Sequence, residues 1–253
     1  MIQIQCSPLG QDSRQWSGIQ AVVFDKDGTL ARSEDFLRIL AHQRARRVDA
    51  QVPGVQEPLL LAFGVEAAGL NPAGLMAVGS RRDNLIAAAA YVAEQGRDWF
   101  AALTLVEAVF ADVDRGLADK AQSTPLFQPA RPLIRSLADQ GVRLGLISGD
   151  TTANLHAFLA TYHLSDYFSL VWGADRSPAK PDPACFREAC ATLGVSPEAT
   201  LMVGDATGDM AMGQTGGAAG CIGVTWGWTR SVRIQQADVI LTDWSQWQVG
   251  STG

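Results

Sequence analysis

The chain is short of charge, of lysine, of histidine and of long apolar runs, and each shortage removes a class of function. Charged residues make up 18% of the 253, and the formal net charge is -6. With no basic cluster beyond Arg44–Arg47, there is no surface of the kind that grips a nucleic-acid backbone. Three histidines, His42, His156 and His163, are too few and too scattered for a zinc site. The four cysteines, Cys6, Cys185, Cys190 and Cys221, have no CxxC spacing. Cys185 and Cys190 fall on roughly opposite sides of one predicted helix, so no local disulfide is expected. No apolar run reaches the ~18 residues of a membrane span, and MIQIQCSPLGQDSRQW has neither a basic start nor an apolar signal core. These features fit a reducing cytoplasm, with no membrane and no nucleic-acid partner. Only three lysines exist, Lys26, Lys120 and Lys180, so chemistry that needs an amine has few candidates.

What the chain does have is a 47% hydrophobic content, enough for a large core, and a repeated local pattern. Ile19–Phe24 is a short apolar, β-branched run that stops at Asp25-Lys26-Asp27-Gly28-Thr29. Val142–Ile147 does the same at Ser148-Gly149-Asp150, and Thr200–Val203 at Gly204-Asp205. Ser169–Trp172, Gly220–Val224 and Asp238–Leu241 are weaker strand candidates. Helical segments are predicted over Ala130–Gln140, Thr152–Tyr162, Pro183–Leu193 and Gly208–Thr215. Strand, polar loop and helix in alternation predict an α/β fold with a parallel sheet covered on both faces. Ligands of such sheets lie beyond the carboxyl ends of the strands, where all these polar clusters fall.

Residues 32–124 break the alternation. Apolar residues recur there at helical spacing over Leu37–Ala45, Glu57–Ala68, Arg82–Ala93 and Trp99–Leu117, with no convincing strand. This predicts a helical insert (32–124) within a sheet domain built from 1–31 and 125–253. The polar, Gly-rich tail after Trp244 is expected to fray.

The polar clusters carry the chemistry. Asp25 and Asp27, two residues apart at a strand end, repel each other unless a cation lies nearby. Gly28 permits unusual backbone angles, and a carboxylate is a competent nucleophile for phosphoryl transfer. Asp205 and Asp209 bring two more acids to another strand end, making an oxygen-rich pocket suited to magnesium. Asp209 also suits the bland role of a helix-start acid. Ser148, with the Gly149 and Asp150 amides, can hydrogen-bond a phosphoryl oxygen; read alone, it would serve as a helix N-cap. Lys180, in Ala179-Lys180-Pro181-Asp182-Pro183, sits in a loop stiffened by proline and can neutralise phosphate charge. Lys26, if strand alternation persists, points away from Asp25 and Asp27 and has no catalytic role.

Taken in order, FDKDGTL, LISGD, AKPDP and VGDATGDM resemble the four motifs of the haloacid dehalogenase-like hydrolase superfamily. The resemblance covers residues 19–31 and 125–242. It implies a Rossmann-like parallel sheet core, with the helical insert similar to that family's cap domain. Thr225-Trp226-Gly227-Trp228, after a late strand, is similar to the stretch (G-V-x-W-G) common in the phosphoglycolate-phosphatase-like branch. The resemblance implies that Asp25 is the nucleophile and Asp27 the general acid and base. It also implies that Ser148, Gly149 and Lys180 bind phosphate, and that Asp25, the Asp27 carbonyl, Asp205 and Asp209 serve Mg2+. Ala206 departs from the Ser or Thr of many relatives. The expected activity is hydrolysis of a small phosphorylated metabolite, 2-phosphoglycolate first, through an aspartyl-phosphate. The rivals are a sugar phosphomutase and a non-catalytic phosphate-binding protein. Arg81 and Arg82, after Gly79-Ser80, either meet the substrate or lie on a solvated helix start. The oligomeric state is not legible.

Overall fold

The computed structural model describes residues 2–10, 12–117 and 119–251. The chain begins with two antiparallel strands, β1 (Ile2–Cys6) and β2 (Arg14–Ser17), before the buried β3 (Ala21–Phe24). A helical run follows: α1 (Glu34–Asp49), α2 (Gln56–Phe63), a two-residue hairpin β4 (Val65–Glu66) and β5 (Gly69–Leu70), then α3 (Leu75–Val78), α4 (Arg81–Glu94) and α5 (Trp99–Gly116). After the short α6 (Lys120–Ser123), strands and helices alternate as α7 (Ala130–Asp139), β6 (Arg143–Ile147), α8 (Thr152–Thr161), β7 (Phe168–Trp172), α9 (Pro183–Leu193), β8 (Thr200–Gly204), α10 (Thr207–Gly216) and β9 (Gly220–Val224). The chain ends on β10 (Val239–Leu241) and β11 (Trp247–Ser251).

Six strands form one all-parallel sheet in the order β10-β9-β8-β3-β6-β7. The strands alternate between two apolar layers, as the two-residue period of a pleated strand requires. Val22, Phe24, Leu144, Leu146, Leu201 and Val203 join α7 and α8 on one face. Ala21, Val23, Met202 and Cys221 meet α9 and α10 on the other. The central strand is β3, flanked by β6 and β8, so three of the polar loops read from sequence emerge side by side.

The insert has an apolar core of its own, in which Leu40, Ala45, Leu59, Phe63, Leu85, Ala88, Val106 and Phe110 pack together. The chain enters and leaves it through paired segments. Ala31 bridges Leu126 in antiparallel fashion, Arg32 N donates to Pro125 O at 2.9 Å, and Phe127 N to Leu30 O at 2.9 Å.

Two expectations need correction. The tail does not fray through residue 251: β11 pairs with β1, Ile2 opposite Ser251 and Cys6 opposite Trp247. The insert is not free of strands, since β4 and β5 interrupt it, and the helix predicted to Ala68 stops at Phe63 because Gly64 turns left-handed at φ 84°. All four cysteines are buried and unpaired, with Cys185 and Cys190 in the same apolar layer. Among the described residues no helix is long and apolar enough to cross a membrane.

The terminal sheet supports the central strand. Trp247 stacks on Phe24 with ring centroids 6.1 Å apart, and Ile4 is fully buried in the same layer. Trp247→Ala is therefore expected to cost about 3–5 kcal/mol, read as a lower urea midpoint at unchanged slope. A loss below about 1 kcal/mol would make the terminal sheet an appendage rather than a prop for β3.

Candidate active site

The site begins where β3 ends. Asp25 N still donates to Val203 O at 2.9 Å, so Asp25 is the last residue tied to the sheet. The chain then turns on itself, and the amides of Leu30 and Ala31 donate to Lys26 O at 2.9 and 2.8 Å. Gly28 has φ 81°, and a Cβ there would lie 2.5 Å from Asp205 Oδ2, so glycine is needed for both angle and space. This turn carries Asp25 into contact with groups from two other loops.

Asp25, Asp205 and Asp209 are buried and bring one carboxylate oxygen each within 4.8 Å of one another. At an effective dielectric constant of about 20, each pair at that spacing repels by roughly 3 kcal/mol. Lys180 answers part of this. Its Nζ lies 2.5 Å from Asp25 Oδ1 and 2.6 Å from Asp209 Oδ1. The loop that delivers it is pinned by Trp172, whose Nε1 donates to Pro178 O at 2.9 Å while Arg176 stacks on its ring. Asp205 touches no ammonium among the described residues. Its oxygens instead accept from Thr29 Oγ1 at 3.0 Å and Trp228 Nε1 at 2.6 Å. Asp25 Oδ2 is buried and has no hydrogen-bond partner among the described residues.

The electrostatics follow. Burial pushes the Asp25 carboxyl up to about 6; Lys180 opposes the rise, and the Asp209 and Asp27 charges add to it. Asp205 is raised well above the carboxylate range by burial and then by Asp25 and Asp209. Burial works against the Lys180 ammonium, but Asp209 and Asp25 outweigh it and raise it above its ordinary value. The cluster thus holds more negative charge than one lysine offsets. Its donors are all oxygens, the set that a hard divalent cation such as Mg2+ prefers, and the buried Asp25 Oδ2 has no partner of its own among the described residues.

The other residues read from sequence lie around this cluster. Asp27 stands at its edge, part-exposed, its Oδ1 accepting from Lys26 Nζ at 2.8 Å and, in a short contact, from Ser33 Oγ. Ser148 is buried at the end of β6, where its Oγ accepts from Asp150 N at 3.2 Å. It is not the cap of α8; Thr151 is, accepting from Asn154 N. Gly149 is exposed beside it, on the side facing Gly79 of the insert. Asp209 does both things expected of it: Oδ2 accepts from Ala206 N at 3.2 Å as a helix-start acid, while Oδ1 takes Lys180. Arg81 is engaged within the insert, paired with Asp114 at 2.8 Å and Glu107 at 3.0 Å, and Arg44 shares Asp114. Arg82 and His42 are exposed.

Lys26 departs from the expectation. Because β3 stops at Phe24, strand alternation does not extend to it, and the turn folds its side chain inward. It is 1% exposed and bridges Asp27 to Asp150 Oδ2, the latter at 3.2 Å. Lys120 reaches the same Asp150 oxygen at 2.7 Å. Burial raises the Asp150 carboxyl, but Lys120 and Lys26 outweigh it and hold the group well below the usual carboxylate range. All three lysines of the chain therefore sit at or beside the site. Sequence reasoning missed Lys26, Lys120, Thr29, Trp228 and the carboxylate of Asp150; the scarcity of lysine was the one signal that pointed toward the first two.

Comparison with known proteins points to one family. A family model of haloacid dehalogenase-like hydrolases matches residues 19–217. A phosphoglycolate phosphatase from Photorhabdus laumondii is 30% identical over 242 residues, covering 92% of each chain. Among solved structures, a predicted phosphoglycolate phosphatase from Haemophilus somnus superposes with a TM-score of 0.68 at 19% identity, over 90% of this chain and 96% of that one. CbbY from Rhodobacter sphaeroides, crystallised with phosphate, gives 0.57 at 18%, over 90% and 95%. At these identities the two structures establish the fold alone. The chain belongs to the haloacid dehalogenase-like hydrolases and is an enzyme of their phosphatase kind.

Proposed function

We propose that this chain is a magnesium-dependent phosphatase that hydrolyses a small phosphomonoester through a phosphorylated Asp25, with 2-phosphoglycolate as the first substrate to test. The observation that carries the reading is the partnerless, buried Oδ2 of Asp25, a residue clustered with two further carboxylates and one lysine. The substrate choice rests on the likeness to the Photorhabdus laumondii phosphoglycolate phosphatase over 92% of both chains.

In this reading Asp25, the Asp27 carbonyl, Asp205 and Asp209 hold Mg2+. Magnesium, when bound, supplies positive charge to the phosphoryl oxygens and screens them from the carboxylates. Lys180 fixes Asp25 Oδ1, which leaves Oδ2 to attack phosphorus as the ester P–O bond breaks. Asp27, once released from Lys26 and Ser33, gives its proton to the departing oxygen. It then takes a proton from the water that attacks the aspartyl-phosphate, and the Asp25–phosphorus bond breaks. Ser148 Oγ and the Gly149 amide bind phosphoryl oxygens. Residues 32–124 act as a cap that covers the site and excludes bulk water.

Asp25→Asn is expected to lower kcat for phosphate release by at least about 10^4-fold, and Asp27→Asn by about 10^2–10^4-fold. Turnover by Asp25→Asn at the wild-type rate would contradict the mechanism. In a panel of phosphomonoesters, 2-phosphoglycolate should rank among the highest in kcat/KM with stoichiometric phosphate release. Isomerisation of a hexose phosphate without release would identify a mutase instead.

The raised Asp25 pKa gives a pH test in EDTA. A carboxyl raised in the fold stabilises it fully below the unfolded value of 3.8, and that stability is lost as pH rises through about 6. At pH 7 the metal-free Asp25→Asn protein should therefore melt higher than wild type, by about 5 °C for a difference on the order of 2 kcal/mol. The gap should close below about pH 4. A lower melting point for Asp25→Asn at pH 7 would show that the cluster is not under charge strain.

A further inference from the structure

Trp228 lies in the loop after β9, yet its ring is buried in the apolar core of the helical insert, together with residues such as Phe36, Leu40 and Phe110. From there its Nε1 reaches back 2.6 Å to Asp205 Oδ2, while Thr29 Oγ1 takes Oδ1 at 3.0 Å. The two oxygens of Asp205 are thus held by donors of different origin: one from the nucleophile turn, the other from a side chain seated in the insert. The flanking residues reinforce this placement. Gly227 presses on the nucleophile turn so closely that a Cβ would lie 2.0 Å from Gly28 O. Thr229 donates its amide and its hydroxyl to Glu34, the first residue of α1, at 2.7 and 2.8 Å. Glu34 also receives Leu70 N at 3.3 Å, and Arg230 pairs with Glu66 at 2.8 Å. Residues 227–230 form a wedge between the nucleophile turn and the insert.

A carboxylate beside two others of like charge lowers its energy by rotating away unless something fixes it. Asp205 has no ammonium contact to do this, so the fixing falls to Thr29 and Trp228. We propose that Trp228 is a positioning residue that holds Asp205 in place for cation binding and is itself seated by the cap, so that cap packing and cation affinity are linked. The inference rests on the reading that Asp25, Asp205 and Asp209 hold a divalent cation. Partners of this kind, which orient a ligand without touching the metal, typically govern affinity by about 10–100-fold.

Trp228→Phe keeps an apolar ring in the insert and deletes only the N–H. Glu34→Gln leaves Trp228 intact and loosens its seat at Thr229. Manganese titrated calorimetrically into substrate-free protein gives the dissociation constant, and melting in EDTA reports the fold. Trp228→Phe should weaken Mn2+ binding by about 10–100-fold, with a metal-free melting point within about 3 °C of wild type. Glu34→Gln should weaken Mn2+ binding in the same direction, by about threefold or more. A dissociation constant for Trp228→Phe within twofold of wild type overturns the proposal, and so does unchanged binding by folded Glu34→Gln. Failure of the wild-type protein itself to bind Mn2+ would instead strike the magnesium reading.

Discussion

Three carboxylates buried within 4.8 Å of one another are the constraint around which this molecule is organised. Left alone they repel by several kcal/mol and would protonate or swing apart. The fold blocks the second and favours the first, since burial raises both Asp25 and Asp205 above the ordinary carboxylate range. Asp25 is the residue at which the central strand runs out, Asp209 is tied into the first turn of α10, and Asp205 is held at both oxygens. One lysine bridges two of the three. The result is a rigid, oxygen-lined cluster short of positive charge, the condition in which a divalent cation and a phosphate ester are welcomed together.

The parallel sheet explains how residues as distant as Asp25 and Asp209 meet. Every strand of such a sheet delivers its following loop to the same edge, and β3 lies between β6 and β8. That arrangement was legible because each strand is a short apolar run ending abruptly in polar residues. The acids and Lys180 stood out for the same reason: aspartates at the ends of buried strands have few bland roles, and a chain with three lysines uses them sparingly. Ser148 was ambiguous from sequence, since Ser caps helices well, and it took the Thr151 cap to free it from that role.

What was not legible has a common cause, namely pairing between segments far apart in the chain. β1 and β11 pair from opposite termini; Ile2-Gln3-Ile4-Gln5-Cys6 does alternate apolar and polar residues, but such a run does not name the distant segment it pairs with. The inward turn of Lys26 depends on where β3 ends, and a period of two says nothing about that. Trp228 was noticed only as part of an aromatic stretch; its bond to Asp205 requires the insert, the nucleophile turn and the β9 loop to be in place at once. Local pattern identifies elements and their end residues, while the contacts that hold the site rigid come from tertiary packing.

The central claim is that the charge missing from the carboxylate cluster is supplied by a divalent cation. Anomalous diffraction from a crystal soaked in manganese tests it most directly. A single strong peak within coordinating distance of Asp25, Asp205 and Asp209, lost in Asp205→Asn, is the predicted result. Manganese bound elsewhere on the chain, with none among the three carboxylates, would contradict the account.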